Sequence, residues 1–153
     1  MKIGQAIGLL IFGYLAGIVL YQQFPIYATT DTLALFDNRL ISSSTTSVKL
    51  YSFQTLVFFA VFLLFKTHTK LTHFVLLFPI SKAVLLGMGS MYLIEHVESV
   101  MKYSVWWFPF GIVLCSGYFF LAFVNKRNAF IAGCCILGIL FVLDYLLYKI
   151  LGS

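Results

Sequence analysis

The sequence predicts an all-α protein, a polytopic bundle of about five transmembrane helices in a single membrane domain. Two observations support this fold class. Of the 153 residues, 61% are hydrophobic and only 10% are charged, and the mean hydropathy is +1.00. Soluble domains are about 45–50% apolar and about 25% charged. The second observation is a series of apolar runs, each near the length of about 20 residues that a membrane-spanning helix needs.

Five apolar runs define the predicted spans. They cover residues 3–21, 50–65, 72–93, 106–124 and 129–148. The one long polar segment, residues 22–48, is predicted to lie outside the membrane. Within it, Leu33, Phe36 and Leu40 share one face of a short helix. Such a helix either lies on the membrane surface or packs over the bundle.

The distribution of positive charge predicts the orientation, with the N-terminus inside and the C-terminus outside. In this arrangement the cytoplasmic ends carry a set of basic residues, namely Lys2, Lys66, Lys70, Lys126 and Arg127. The outer loops mix both signs, so the bias follows the positive-inside rule. Most tyrosines and both tryptophans then fall at the outer interface, while Tyr14 and Tyr118 lie deep. We therefore expect a multi-pass protein of a cell membrane.

Glycines predict where helices pack closely, because a residue without a side chain lets a neighbouring backbone approach. The candidate packing positions are Gly13, Gly17, Gly87, Gly89 and Gly111. The first span contains a further pair, Gly4 and Gly8, at the same spacing as Gly13 and Gly17. At about 100° per residue the two pairs face in different directions. This geometry predicts two separate contacts rather than one continuous stripe.

Two ionisable residues in or near the apolar runs, Lys82 and Asp144, are the candidate buried charges. Charge at membrane depth is expensive and indicates a functional site by default. At 1.5 Å rise per residue their depths differ by roughly 7–8 Å, which permits a pair between the third and fifth spans. The alternative is that Asp144 meets the outer interface and Lys82 extends to the inner headgroups. The outcome depends on Pro79, since a helix beginning at Ile80 would leave Lys82 at the inner surface.

Catalytic and metal-binding signatures are scarce. The sequence contains no G-x-S-x-G, H-E-x-x-H or phosphate-binding loop. Glu95, His96 and Glu98 in the outer loop, and His68 and His73 in an inner loop, are predicted to be hydrated rather than to bind a metal. The three cysteines lie in apolar runs, which favours a packing role. We expect no enzyme activity, cofactor or metal, and the net charge of +5 reflects cytoplasmic loops rather than a nucleic-acid partner.

One stretch and two later features resemble a known family. Phe78–Gly87 reads as an apolar residue, proline, and then lysine, a small residue and a glycine four positions further on. It resembles the corresponding stretch of the stage II sporulation protein M-like membrane proteins. Trp107–Phe110 and the acidic Asp144 in the last span are similar to further features of that family. Two departures are Ala83, where the family usually has glycine, and Phe110, where it has a polar residue.

The resemblance implies a non-enzymatic scaffold in a bacterial plasma membrane that recruits peptidoglycan-degrading partners during sporulation. A scaffold would contact the lipid bilayer and other membrane or envelope proteins through its glycine faces and its outer polar segment. The alternative is a small transporter or substrate-binding subunit, whose cavity would be lined by Lys82 together with Asp144, Tyr14 and Tyr118. An enzyme built on the outer acidic loop is a third hypothesis.

Overall fold

The computed structural model of the chain describes residues 3–40, 45–68, 70–96, 102–124 and 126–152. Over these residues the protein is all-helical, which confirms the predicted class. The helices are α1 (Ile3–Gln23), α2 (Ile26–Asp37), α3 (Thr45–Thr67), α4 (Leu77–His96), α5 (Phe108–Phe123) and α6 (Lys126–Gly152). Two short 3₁₀ turns, Asn38–Leu40 and Thr72–Phe74, and a π-helical turn, Lys102–Trp107, lie between them.

Within the described ranges, three helical segments are long and apolar enough to cross a membrane. They are Lys49–Thr67, Thr72–His96 and Val105–Phe123. Shorter apolar helices occupy Ile7–Gln23 in α1 and Ile131–Leu146 in α6. The protein therefore has the helices of a membrane protein, and each of the five segments overlaps one of the predicted spans.

Helix α4 is the central helix of the bundle. It packs against α1, α2 and α5, and its Phe78 ring contacts three phenylalanine rings of α3. In its most apolar window 56% of the residues are buried, against 28% in each of the other two candidate spans. Because α4 is covered on most sides, its residues Lys82, Gly87, Gly89 and Ser90 are all buried.

Backbone contact joins α1 to α4. A Cβ added at Gly13 would lie 3.2 Å from a carbonyl oxygen of α4, and one added at Gly17 would overlap another. A Cβ at Gly87 would overlap a carbonyl oxygen of α1 in the same way. Gly4 and Gly8, in contrast, have nothing within 4 Å in the described structure. The two glycine pairs of α1 thus differ, because only the second lies against another helix.

The other two candidate packing glycines face side chains. A Cβ at Gly89 would overlap the ring of Trp107, and one at Gly111 would overlap the methyl groups of Leu86. Gly89 therefore makes room for a side chain of the π-helical turn that precedes α5, and Gly111 makes room for a side chain of α4. All five candidates lie in close contacts between helices.

Helix α2 turns back into the bundle and runs antiparallel to α4. Leu33, which is 1% exposed, belongs to a buried cluster that includes Met88. Three residues later, Phe36 lines a groove with Lys82, which lies further towards the start of α4. Of the two predicted placements for this helix, packing against the bundle is the one observed. The polar end of α2 is consequently carried into the protein interior.

Pro79 lies in the first turn of α4, where a missing N–H is tolerated. The helix begins at Leu77, close to the start that was expected to leave Lys82 at the inner surface. Lys82, five residues into the helix, is buried among protein side chains and only 8% exposed. The reason is tertiary: α2, α3 and α5 all contribute side chains around this turn of α4.

Candidate functional site

Arg39 is the centre of a buried ion cluster that we call the Arg39 cluster (Asp37, Arg39 and Asp144). The guanidinium donates two hydrogen bonds to Asp37, from Nε to Oδ1 at 2.8 Å and from Nη2 to Oδ2 at 2.7 Å. Its third nitrogen, Nη1, donates to Oδ2 of Asp144 on α6. One side chain therefore ties the end of α2 to the last helix of the chain.

Two aromatic rings enclose the guanidinium. Its central carbon lies 3.5 Å from the centroid of the Tyr51 ring and 4.8 Å from that of Trp106. The indole Nε1 of Trp106 also donates a hydrogen bond of 2.9 Å to Oδ1 of Asp144. Both oxygens of that carboxylate consequently have a partner. A planar, delocalised cation suits such stacking better than an ammonium does.

The charges of the Arg39 cluster are buried and hydrogen-bonded. The side chain of Arg39 is 1% exposed and that of Asp144 is 5% exposed. Burial alone lowers the pKa of Arg39, but the charge and hydrogen bonds of Asp37 raise it, and the net pKa lies above its ordinary value. The guanidinium stays charged. A bidentate pair with satisfied oxygens is the geometry in which a buried ion pair offsets its desolvation.

Lys82 is a second buried cation with different surroundings. Its Nζ lies 4.5 Å from the centroid of the Phe58 ring. Over the part of the chain that the structure describes, Lys82 makes neither a hydrogen bond nor an ion pair. The pair with Asp144 considered from the sequence is not formed, and the two oxygens of that carboxylate instead accept hydrogen bonds from Arg39 and Trp106. Asp37 is nearer, but both of its oxygens accept hydrogen bonds from Arg39.

A small space, which we call the inner cavity, lies between Lys82 and Asp37. Its volume is about 50 Å³, and the thiol-bearing Cys115 also lines it. A water molecule needs about 10–15 Å³ of such volume, so the inner cavity is large enough for a few waters. It is too small for an organic ligand.

A larger space, which we call the Lys82 groove, lies on the other side of Lys82 between α2 and α3. Its volume is about 360 Å³. The outer walls are apolar and exposed, with Leu35 at 67%, Phe53 at 65% and Val57 at 46%. Gln54 also lines the groove, and its Oε1 is buried without a hydrogen-bond partner among the described residues. The groove runs along a candidate span.

The remaining residues of the predicted cavity lie elsewhere. Tyr14, Tyr118 and Asp144 line neither the inner cavity nor the Lys82 groove. The ring of Tyr14 packs edge-on against Phe108. Tyr118 is 2% exposed and packs in the aromatic cluster between α3 and α5, with its hydroxyl unpaired among the described residues. These side chains serve packing in the structure.

Glu95 and His96, which were predicted to lie in a loop, form the end of α4 instead and contact the end of α1. The hydroxyl of Tyr21 donates to Oε2 of Glu95 at 3.0 Å and lies 3.2 Å from Nδ1 of His96. The His96 ring stacks on Tyr92 at 5.0 Å. Glu98 lies outside the described residues. No group of three His, Cys, Asp or Glu side chains that fits a metal ion occurs among the residues that are described.

The sequence reasoning missed the role of Asp37 and Arg39, which were taken as ordinary charges of the outer segment. A signal was present. Asp37 follows Leu33 by four residues and so falls on the same face of α2. A carboxylate on an apolar face, followed two residues later by arginine, indicates charges that enter the protein rather than face water.

Comparisons of the chain with models of protein families, with curated proteins and with solved structures gave no significant match. The resemblance to the sporulation family therefore stays a prediction. The chemistry of the site is inferred from its own contacts.

Proposed function

We propose that the protein is a small membrane-embedded binding or transport subunit whose ligand hydrogen-bonds to the ammonium of Lys82. The observation that carries this proposal is the state of Lys82, buried in a candidate span without a hydrogen bond or ion pair in the described structure. Buried charges in proteins are normally paired. Ionisable residues within a membrane are rare and mark the routes of substrates and ions.

The Arg39 cluster supports this function by holding the walls of the site. Its hydrogen bonds attach the end of α2 to α6, and α2 forms one wall of the Lys82 groove. Binding sites depend on side chains that are held in place by a second set of contacts. Because Arg39 is hydrogen-bonded to both Asp37 and Asp144, it holds this wall of the groove in place beside Lys82.

The topology proposed for this function has five spans in a cell membrane, with the N-terminus inside and the C-terminus outside. Three spans rest on helices of sufficient length and hydropathy, and the other two on the shorter apolar helices in α1 and α6. The orientation rests on the basic residues at the predicted cytoplasmic ends.

Native mass spectrometry tests the binding function. Full-length protein purified from membranes in mild detergent is expected to carry a small-molecule adduct that the Lys82→Met variant lacks. Lys70→Met is the matched control, since Lys70 is exposed in the loop between α3 and α4, and it should retain the adduct. A wild-type protein without any adduct, or an adduct that persists in Lys82→Met, would overturn the proposal.

The scaffold role predicted from the sequence is a second proposal, and one observation favours it. Gly4 and Gly8 have nothing within 4 Å in the described structure, and Ile7 and Ile11 beside them are 52% and 55% exposed. A helix of another membrane or envelope protein would find close contact there. Such a role involves no catalysis and fits sporulation or other remodelling of the envelope.

Co-purification tests the scaffold role. A partner helix that packs on α1 should be lost from the Gly8→Leu variant and retained by Gly138→Leu, because Gly138 on α6 likewise has nothing within 4 Å in the described structure. Purification that recovers no stable partner would contradict this role.

A further inference from the structure

We infer that the ligand held at Lys82 is a long-chain fatty acid, taken from the bilayer through the Lys82 groove in its uncharged, protonated form. This inference rests on the proposed binding function, because it requires that Lys82 holds a ligand. It adds the chemical class of that ligand and the direction from which the ligand arrives.

The two spaces beside Lys82 differ in what they can hold. The Lys82 groove, at about 360 Å³, falls within the range of about 300–1,000 Å³ typical of small-molecule sites. The inner cavity, at about 50 Å³, does not. Exposed apolar walls at Leu35, Phe53 and Val57 suit a hydrocarbon chain. A ligand of this shape enters sideways from lipid and needs no aqueous channel.

The polar atoms of the groove specify the headgroup. Lys82 offers N–H donors without a partner in the described chain, and Gln54 offers the acceptor Oε1, which is buried and equally unsatisfied there. Both residues line the same groove. A carboxylic acid matches this arrangement, since its carbonyl accepts from the ammonium and its O–H donates to the amide oxygen. An ester has no donor for Gln54, and a hydrocarbon has neither group.

The charge of the site indicates that the acid binds with its proton. The Arg39 cluster holds two carboxylates and one guanidinium, and the ammonium of Lys82 brings the buried set to neutrality. Adding an anion would leave an uncompensated negative charge in a medium of low dielectric constant, which is strongly unfavourable. A neutral acid adds no charge. A phospholipid fits poorly, because it has a permanently charged phosphate and two chains for one groove.

Photocrosslinking tests the inference. The full chain in nanodiscs is irradiated with a palmitic acid analogue that carries a diazirine on its chain, and the labelled peptides are identified by mass spectrometry. Label is expected on α3 beside the groove. Excess palmitic acid should reduce it about tenfold or more, and palmitic acid methyl ester should reduce it little.

Two matched substitutions on α3 locate the bound chain. Val57→Trp fills the Lys82 groove and should reduce labelling about tenfold, whereas Leu64→Trp, also exposed on α3 but outside the groove, should leave it unchanged. Val61→Trp, at a second wall position, provides the same test if Val57→Trp fails to fold. Labelling that survives both groove variants would overturn the inference.

The outcomes separate this inference from the proposed function. Equal competition by the methyl ester would show that the O–H group is not recognised and would overturn the acid as ligand. Absence of labelling together with a Lys82-dependent adduct of another mass would overturn the inference while the binding function stands. Absence of both labelling and adduct would overturn both.

Discussion

Arg39 and Lys82 are both buried cations, but their surroundings are opposite. Arg39 donates hydrogen bonds to two carboxylates and lies between two aromatic rings. Lys82 faces a single phenylalanine ring and has no hydrogen bond or ion pair in the described structure. The planar guanidinium suits a site with several fixed acceptors, whereas an ammonium is a compact charge on a flexible stem. We interpret Arg39, which has hydrogen-bonded partners, as structural. We interpret Lys82, which lacks them in the described structure, as the binding group.

The strongest test of this comparison is the removal of the positive charge of Arg39. Arg39→Met leaves the carboxylates of Asp37 and Asp144 buried without their partner, which is expected to cost about 3–5 kcal/mol of stability. Unfolding of the purified protein in detergent, followed by circular dichroism, measures the loss. Lys49→Met is the control, since Lys49 is exposed at the start of the apolar part of α3. A variant as stable as wild type would mean that the cluster does not hold the fold.

The second test loosens the helix that carries Lys82 and leaves the Arg39 cluster intact. A Cβ at Gly17 would overlap a carbonyl of α4, so Gly17→Ala should separate the two helices at a cost of about 1–3 kcal/mol. Gly8→Ala places its Cβ in open space in the described structure and should be neutral. The same unfolding assay compares the two. Equal stability of both variants would show that the contact between α1 and α4 adapts.

An effect of comparable size is expected from the hydrogen bond that completes the Arg39 cluster. Trp106→Phe removes the donor to Asp144 and leaves one buried acceptor unsatisfied, which typically costs about 1–3 kcal/mol. Trp107→Phe removes a comparable volume, but the hydrogen bond that it removes is a long one, 3.4 Å to the carbonyl of Leu86. The difference between their unfolding temperatures isolates the contribution of the bond to Asp144. No difference would assign the effect of Trp106 to its volume alone.

The smallest effect on stability is expected from substitution of Lys82. Lys82→Met removes a desolvated charge but also takes a positive charge from beside the Arg39 cluster, and these opposing effects should leave stability within about 1 kcal/mol of wild type. Ligand binding should be lost. Destabilisation as large as that of Arg39→Met would show that Lys82 is a structural residue, and the comparison between the two cations would fail.

Much of the architecture was predictable because it depends on local properties of the chain. Hydropathy and the length of apolar runs predicted an all-helical membrane protein, and the helices lie close to the predicted spans. The spacing of glycines separated Gly4 and Gly8 from Gly13 and Gly17, and the structure gives only the second pair a neighbouring helix in the described chain. Helical periodicity is a short-range property, so a sequence records it directly.

The charged site was less predictable because it depends on which distant residues meet. Lys82 was identified from its place in an apolar run, and Asp144 was considered as one possible partner for it. In the structure Asp144 pairs instead with Arg39, 105 residues away from it in the chain. The return of α2 into the bundle made the difference. Depth along parallel helices can be estimated from residue numbers, whereas the side of the bundle on which a helix packs cannot.

The sequence alone therefore determined the class of the protein, the close-packing glycines and the presence of a lysine within an apolar helix. The tertiary structure decided that Arg39 pairs with both carboxylates in the described chain and that Lys82 is left without a hydrogen bond or ion pair there, beside a groove with exposed apolar walls. The physical reason is that secondary structure follows from neighbouring residues, while the pairing of buried charges follows from the positions that whole helices take when they pack.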